Sequence, residues 1–229
     1  MNRFSCHILA VAALFAAALP AQSQRITSPY RFLDAGQEIG PVATYVWAGD
    51  PAVGLGAKSG PAFGGRYGIR LGGAFMIAVE AAYFPTEHAV LDSVVVDSAF
   101  QQIGTADQTL LIATAALRFN ITGPRTWHGL QPFVAFGAGA VIETSHDKEA
   151  ANLAPVEARF DFGTSFAGTL GGGIAWLPSR HLAIRLDGRN LLWKVTTPAA
   201  LRRGDLGLTM PDDEWVQNFT ASAGVSILF

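Results

Sequence analysis

The chain has 229 residues, of which 50% are apolar and only 15% are charged, with a formal net charge of −2. Ordinary soluble domains carry about 25% charged residues, so this composition argues against a surface that faces water everywhere. The balance of 16 basic and 18 acidic residues includes no basic stripe and therefore argues against nucleic-acid binding.

The first segment has the pattern of a secretory signal peptide, which we place at residues 1–21. A short basic start is followed by an apolar run, Ile8–Leu19, and then by LPAQSQ. A run of this length is too short to span a bilayer as a helix. Cys6 is the only cysteine and precedes the run, so the mature chain is expected to lack disulfides and thiolate metal sites.

Eight later segments alternate bulky apolar residues with small or polar ones, the period-two pattern of β-strands. In FMIAVEAAYF, for example, Phe75, Ile77 and Val79 share one face, and Glu80 and Ala82 share the other. The lengths suit transmembrane strands, which need roughly 9–11 residues. In chain order the segments are EIGPVATYVWA, AFGGRYGIRL, FMIAVEAAYF, TLLIATAALRFNI, FVAFGAGAVI, FGTSFAGTLGGGIAW, LAIRLDGRN and FTASAGVSILF.

The connections between these segments alternate between long and short. GDPAVGLGAKSGP and the stretches 85–107, 145–159 and 194–216 are long, whereas GG, TGPRTWHG and PSRH are short. This alternation is typical of an up-and-down barrel with one decorated end. The sequence therefore predicts an all-β fold, an eight-stranded antiparallel up-and-down transmembrane β-barrel over residues 38–229.

The distribution of charge predicts which face of each strand points outward. A soluble lipocalin-like barrel is the alternative, and its outer wall should be rich in Lys, Glu and Asp. Here the less apolar face is mostly Gly, Ala, Ser and Thr with a few long charged residues, which suits a narrow interior. The predicted luminal charge network comprises Arg66, Arg70, Glu80, Arg118, Arg185, Asp187 and Arg189. Its excess of arginine calls for another acid, and Asp34 or Glu38 of the N-terminal segment is a candidate.

Aromatic residues near the ends of the apolar face predict two interfacial girdles, as in membrane barrels. Phe133 is placed on this outward face with them. The residues assigned to the interfaces are Tyr45, Trp47, Phe63, Tyr83, Phe162 and Trp176.

The signal peptide, the eight alternating segments, the penultimate strand LAIRLDGRN and the final strand ending in Phe229 resemble small bacterial outer-membrane β-barrels of the OmpA/OmpX or opacity-protein kind. The resemblance implies a location in the bacterial outer membrane, with residues 22–37 as an N-terminal periplasmic segment. It also implies contact with membrane lipid and lipopolysaccharide. In that family the aromatic C-terminal strand is similar to a signal read by the outer-membrane assembly machinery, here Phe219, Val225, Ile227 and Phe229.

The expected function is structural or surface-interacting, with an interior plugged by the arginine–acid network and long acidic extracellular loops that contact an unidentified ligand. A narrow porin-like channel for small solutes is the alternative, and a lipid-modifying enzyme is a second one. Ser145, His146 and Asp147 are adjacent, so they point to different faces and are read as a hydrophilic loop rather than a catalytic group. We expect a monomer that is not an enzyme, with no cofactor and no metal.

Overall fold

The computed structural model describes residues 28–96, 99–147, 149, 152–202 and 210–229, so the signal peptide lies outside the described residues. The described residues form ten strands, of which eight form a ring and two, β1 and β6, form a short ribbon beside it. The strands are β1 Tyr30–Phe32, β2 Gln37–Trp47, β3 Gly60–Gly72, β4 Phe75–Val96, β5 Ala99–Asn120, β6 Arg125–Trp127, β7 Leu130–His146, β8 Thr164–Trp176, β9 Leu182–Thr196 and β10 Asp213–Leu228. Single turns of 3₁₀ helix lie at Val156–Ala158 and Ala199–Arg202.

The ring is closed, which confirms the predicted eight-stranded antiparallel up-and-down barrel. Each long strand pairs antiparallel with its neighbours, and β10 pairs with β2 through Phe219↔Trp47 to Leu228↔Glu38. Closure leaves no edge of the ring unpaired, which removes the main route to edge-to-edge aggregation. At the β3–β4 turn, Gly73 has φ +53°, a left-handed conformation that glycine adopts without steric cost.

One predicted loop is wrong. Within the stretch 85–107, residues 85–96 continue β4 and residues 99–107 continue β5 as a paired ribbon, in which Glu87 faces Asp107 and Val96 faces Ala99. The two strands therefore have 22 residues each. Strands that project beyond a bilayer need no apolar outer face, so the loss of clean alternation after Pro85 did not mark their end.

The predicted assignment of side chains to the outer and inner faces of the barrel is correct for most strands. On β4, Ile77, Val79 and Tyr83 are exposed on the outer wall, whereas Ala82 and Phe84 are buried in the interior. The barrel thus has bulky apolar side chains outside and small, charged or packed side chains inside. Among the described residues no helix is long and apolar enough to cross a membrane.

Two aromatic assignments are wrong. Phe133 lies inside the barrel and is only 3% exposed, because β7 has bulky residues on both faces and Val134 and Phe136 take the outer wall. Phe162 precedes β8 and packs inward, with its ring 6.2 Å from that of Trp193. Gly163, at φ +58°, interrupts the extended backbone between Phe162 and β8, so Phe162 does not follow the alternation of β8.

The N-terminal segment 30–36 forms a strap at the end of the barrel that carries the short turns. β1 pairs with β6 in the β5–β7 connection, and Gly36 N–H donates to the Phe229 carbonyl at 3.0 Å. β2 and β7 are four strands apart in the ring of eight, so the strap runs between opposite sides of the barrel mouth. Leu33, 3% exposed, packs with Ala175, Leu177, Ala183 and Leu228 beneath the interior.

Candidate functional site: the filled interior

The inward side chains of β9 line the interior along its whole length, from the short-turn end to the long-loop end. Three charged residues, Arg185, Asp187 and Arg189, follow the apolar Ala183. Two apolar residues, Leu191 and Trp193, come next and are 4% and 1% exposed. Successive inward residues of one strand thus pass from a charged lower interior to an apolar upper interior.

The lowest charged level is organised around Glu38, the first inward residue of β2. Its carboxylate accepts hydrogen bonds from Arg118 Nη1 at 3.0 Å and from Arg185 Nη2 at 2.7 Å. The two guanidinium centres lie 5.1 and 5.9 Å from the ring centroid of Phe133, within the range of cation–π attraction. One carboxylate and one aromatic ring thus hold two buried arginines in place.

Gly68 on the neighbouring strand β3 makes room for Glu38. A Cβ at this position would lie 2.8 Å from Glu38 Cγ, closer than real side-chain contacts allow. The predicted network omitted Phe133 and named Glu38 only as one possible extra acid. The alternation of β2 identifies Glu38 as inward, but no sequence signal links it to Arg118 and Arg185.

The second charged level is a four-residue ring of alternating sign. Arg66 bridges Glu80, at 2.6 Å, and Asp187, at 3.0 Å. Arg189 contacts the same two carboxylates, at 3.2 Å from Glu80 and 2.7 Å from Asp187. The Arg66, Glu80 and Asp187 side chains are at most 12% exposed, so each charge depends on its partners rather than on water.

Arg70, the remaining residue of the predicted network, is half-buried and lies nearer the short-turn end. Its Nη1 donates to the Leu33 carbonyl of the strap at 2.7 Å. It makes no ion pair within 4.0 Å in the described part of the chain. Arg70 therefore ties the strap to β3 and stands apart from the two carboxylate-centred levels.

A small polar chamber separates the charged levels from the apolar one. It measures about 30 Å³ and is lined by threonines of four strands, with Glu80 and Arg189 on its charged side. This space accommodates water, which needs about 10–15 Å³ and several polar partners. The threonines are Thr44, Thr114, Thr169 and Thr220.

Above the chamber, the upper interior is packed like the core of a soluble protein. Trp193 and Phe84 are at most 1% exposed, and Leu110 and Val141 are fully buried beside them. Phe160 and Phe162, from the β7–β8 connection, pack on this cluster. Apolar side chains therefore fill this level of the barrel in the described part of the chain.

A second apolar cluster forms a cap over the long-loop end. Leu55, Leu91, Phe100 and Leu201 come from four different stretches of the chain and pack together. His88 is 3% exposed and lies at the side of this cap, with its ring 5.3 Å from that of Phe160. Burial lowers the pKa of His88, which lies five residues beyond the interfacial Tyr83, and the nearby His146 lowers it further.

The predicted interfacial and assembly residues, Phe162 apart, lie on the outer wall. Tyr45, Trp47, Phe63 and Tyr83 are 42–58% exposed toward the long-loop end, and Trp176 is 49% exposed at the other. Phe219 joins the upper band, because its ring lies 5.5 Å from that of Trp47 across the β10–β2 seam. Val225, Ile227 and Phe229 continue the same outward row toward the short-turn end.

The adjacent Ser145, His146 and Asp147 do not form a nucleophile–base pair in the described structure. His146 Nδ1 lies 3.2 Å from Glu143 Oε1, and Asp147 N–H donates to the Asp107 carbonyl at 2.8 Å. The described residues contain no group of three or more His, Cys, Asp or Glu side chains placed to hold a metal ion.

The architecture is that of the small eight-stranded transmembrane barrels of the bacterial outer membrane. No protein-family model and no curated protein sequence matches the chain. Among solved structures, it is similar to OprG from Pseudomonas aeruginosa, with 14% identity, a TM-score of 0.52 and coverage of 86% of this chain and 98% of that one. It is also similar to Escherichia coli outer membrane protein W, with 11% identity, a TM-score of 0.52 and coverage of 86% and 99%.

Proposed function

We propose that this protein is an integral outer-membrane barrel with a closed interior, whose role is to present the surface at its long-loop end. The observation that carries the proposal is the inward row of β9, where two charged levels and an apolar level follow one another. Eight-stranded barrels have an interior just wide enough for side chains to fill.

Insertion in a membrane is supported by the outer wall. Large apolar side chains such as Phe136, Leu170 and Leu186 are 56–65% exposed there, an arrangement that water disfavours and lipid accepts. The aromatic bands at both ends match the two membrane interfaces. We assign the short-turn end to the periplasm and the long-loop end to the exterior, where lipopolysaccharide is the neighbouring lipid.

The role of the final strand is part of the proposal. Phe219, Val225, Ile227 and Phe229 form its outward row, and β10 makes the closing contact with β2. We assign this row to recognition by the outer-membrane assembly machinery. Phe229→Asp should then reduce the amount of folded barrel in cells, whereas the same change at the exposed strap residue Phe32 should have a smaller effect.

The surface role is supported by the cap. Its apolar core joins the β2–β3, β7–β8 and β9–β10 connections to the β4–β5 ribbon, so the exterior is presented as a packed unit. Binding and recognition residues concentrate on such connections when a rigid scaffold holds them. A lipid-modifying enzyme has no comparable support among the described residues.

Planar-bilayer recording of the purified, folded protein tests closure against the porin-like alternative. We expect no discrete conductance, and we expect vesicles carrying the protein to exclude small sugars. A variant lacking residues 22–35 removes all of the strap except Gly36 but keeps both charged levels, so it should also remain silent. Stable, reproducible channels in the full-length protein, with a heat-dependent gel shift verifying its fold, would overturn the proposal.

A further inference from the structure

A pocket of about 340 Å³ lies at the short-turn end, outside the interior described above. One wall is the strap, with Phe32 and Asp34, and the other is the β8–β9 turn, with Arg180 and His181, together with Phe229. This volume falls within the range of small-molecule sites, roughly 300–1,000 Å³.

Backbone hydrogen bonds fix the two walls relative to each other. Gly36 and Gln37 N–H groups both donate to the Phe229 carbonyl, at 3.0 and 2.9 Å. Leu228 N–H donates to the His181 carbonyl at 2.9 Å, which ties the turn to the same end of β10. The pocket is therefore preformed by the fold, which lowers the ordering cost of binding.

The position of Phe229 places the pocket beside the lipid-facing wall. Phe229 is 58% exposed and continues the outward row that includes Val225 and Ile227. Phe32, 57% exposed, supplies a second ring from the strap. In the orientation proposed above, this level is the headgroup region of the periplasmic leaflet, where aromatic side chains concentrate.

The pocket carries charges of both signs. Asp34, Arg180 and His181 are all exposed, and none of them makes an ion pair within 4.0 Å in the described part of the chain. Arg180 supplies a fixed positive charge and a forked donor for a phosphate. The Asp34 carboxylate accepts hydrogen bonds from an ammonium group and disfavours a second negative charge.

We propose that the pocket formed by Phe32, Asp34, Arg180, His181 and Phe229 binds the headgroup of a phospholipid that carries a primary ammonium, a phosphatidylethanolamine. The phosphate lies against Arg180 and His181, the ammonium lies against Asp34, and the acyl chains follow Phe229 onto the outer wall. The assignment of the leaflet rests on the proposed membrane insertion, whereas the preference for the headgroup rests on the pocket alone.

Native mass spectrometry of the folded protein in detergent tests the headgroup preference without requiring insertion. The probes are phosphatidylethanolamine, phosphatidylglycerol and phosphatidylcholine with identical acyl chains, and the heat-dependent gel shift verifies folding of each variant. We expect the ethanolamine lipid to bind at least threefold more tightly than either of the others. The choline headgroup has no N–H to donate to Asp34, and the glycerol headgroup has no positive charge.

Two variants separate the contributions of the headgroup contacts. Asp34→Asn should remove the preference for ethanolamine over glycerol, and Arg180→Gln should weaken binding of both lipids. The matched controls are Arg125→Gln, at the same end but outside the pocket, and Asp212→Asn, at the long-loop end; both should bind like the wild type.

Equal binding of the three lipids overturns the proposal, as does a preference for ethanolamine that survives Asp34→Asn. Tighter binding of phosphatidylglycerol by the wild type also overturns it and identifies an anionic-lipid surface instead. A barrel that shows the preference in detergent but does not insert into vesicles contradicts the proposed function and leaves the headgroup assignment standing.

Discussion

The lower and upper halves of the barrel interior are filled through different interactions. Below the threonine chamber, three carboxylates hold four arginines through directional contacts of 2.6–3.2 Å. Above it, Trp193, Phe84 and their neighbours fill the space with apolar side chains. A charged level fails when a partner is removed, because the remaining charge stays buried. An apolar level fails in proportion to the volume that is lost.

The largest loss of stability is expected in the charged half, at Glu38. Glu38→Gln removes the carboxylate shared by Arg118 and Arg185 and leaves two buried positive charges without compensation. We expect a loss of about 3–5 kcal/mol in the free energy of unfolding, measured by urea titration in lipid vesicles with the folded fraction read from the gel shift. Glu87→Gln is the control, because Glu87 forms an exposed pair with Lys58 that is worth about 0–1 kcal/mol. Equal effects would contradict the role of Glu38.

The apolar half is tested by Trp193→Ala. Removal of this fully buried indole leaves a cavity, and we expect a loss of about 3–5 kcal/mol in the free energy of unfolding. The bilayer should remain sealed, because the charged levels below are unchanged. Trp215→Ala makes the same chemical change at a side chain that is 55% exposed, and its effect should be clearly smaller. Conductance in Trp193→Ala alone would show that the charged half does not close the barrel.

A smaller substitution tests how tightly the charged half is packed. Gly68→Ala places a methyl group 2.8 Å from Glu38 Cγ, and the side chain must shift away from Arg118 and Arg185. Overpacking of this kind costs about 1–3 kcal/mol. Gly65→Ala, on the same strand, is the control, because its nearest atom to the added Cβ is 3.9 Å away. The two variants should separate in the same urea titration.

The smallest expected effect is a pH dependence of the cap. Burial lowers the pKa of His88, so the folded state binds this proton less readily than the unfolded state. The contribution of His88 is complete above the ordinary imidazole pKa, about 6.5, and is lost as the pH falls below it. The urea midpoint of the wild type should therefore decrease more between pH 7.5 and pH 5.5 than that of His88→Phe.

The alternation of the strands was sufficient to predict that several charged residues point inward but not which contacts they make. On β9, Arg185, Asp187 and Arg189 are every second residue, so their common inward direction follows from strand geometry. Their partners on other strands come from β2, β3 and β4, and those contacts depend on the stagger of the closed ring. Phe133 was missed because β7 carries bulky residues on both faces, which period-two reasoning does not resolve.

By itself, the sequence determined the number of barrel strands, their alternation and the apolar character of the outer wall, because these are local properties of a chain with period two. Only the tertiary structure decided that Glu38 joins Arg118 to Arg185, that 85–96 and 99–107 pair as a ribbon and that Leu33 lies beneath the interior. The physical reason is that each of these features depends on the register between strands or on contacts between distant segments. Neither the register nor the contacts between distant segments can be read from the local pattern of residues.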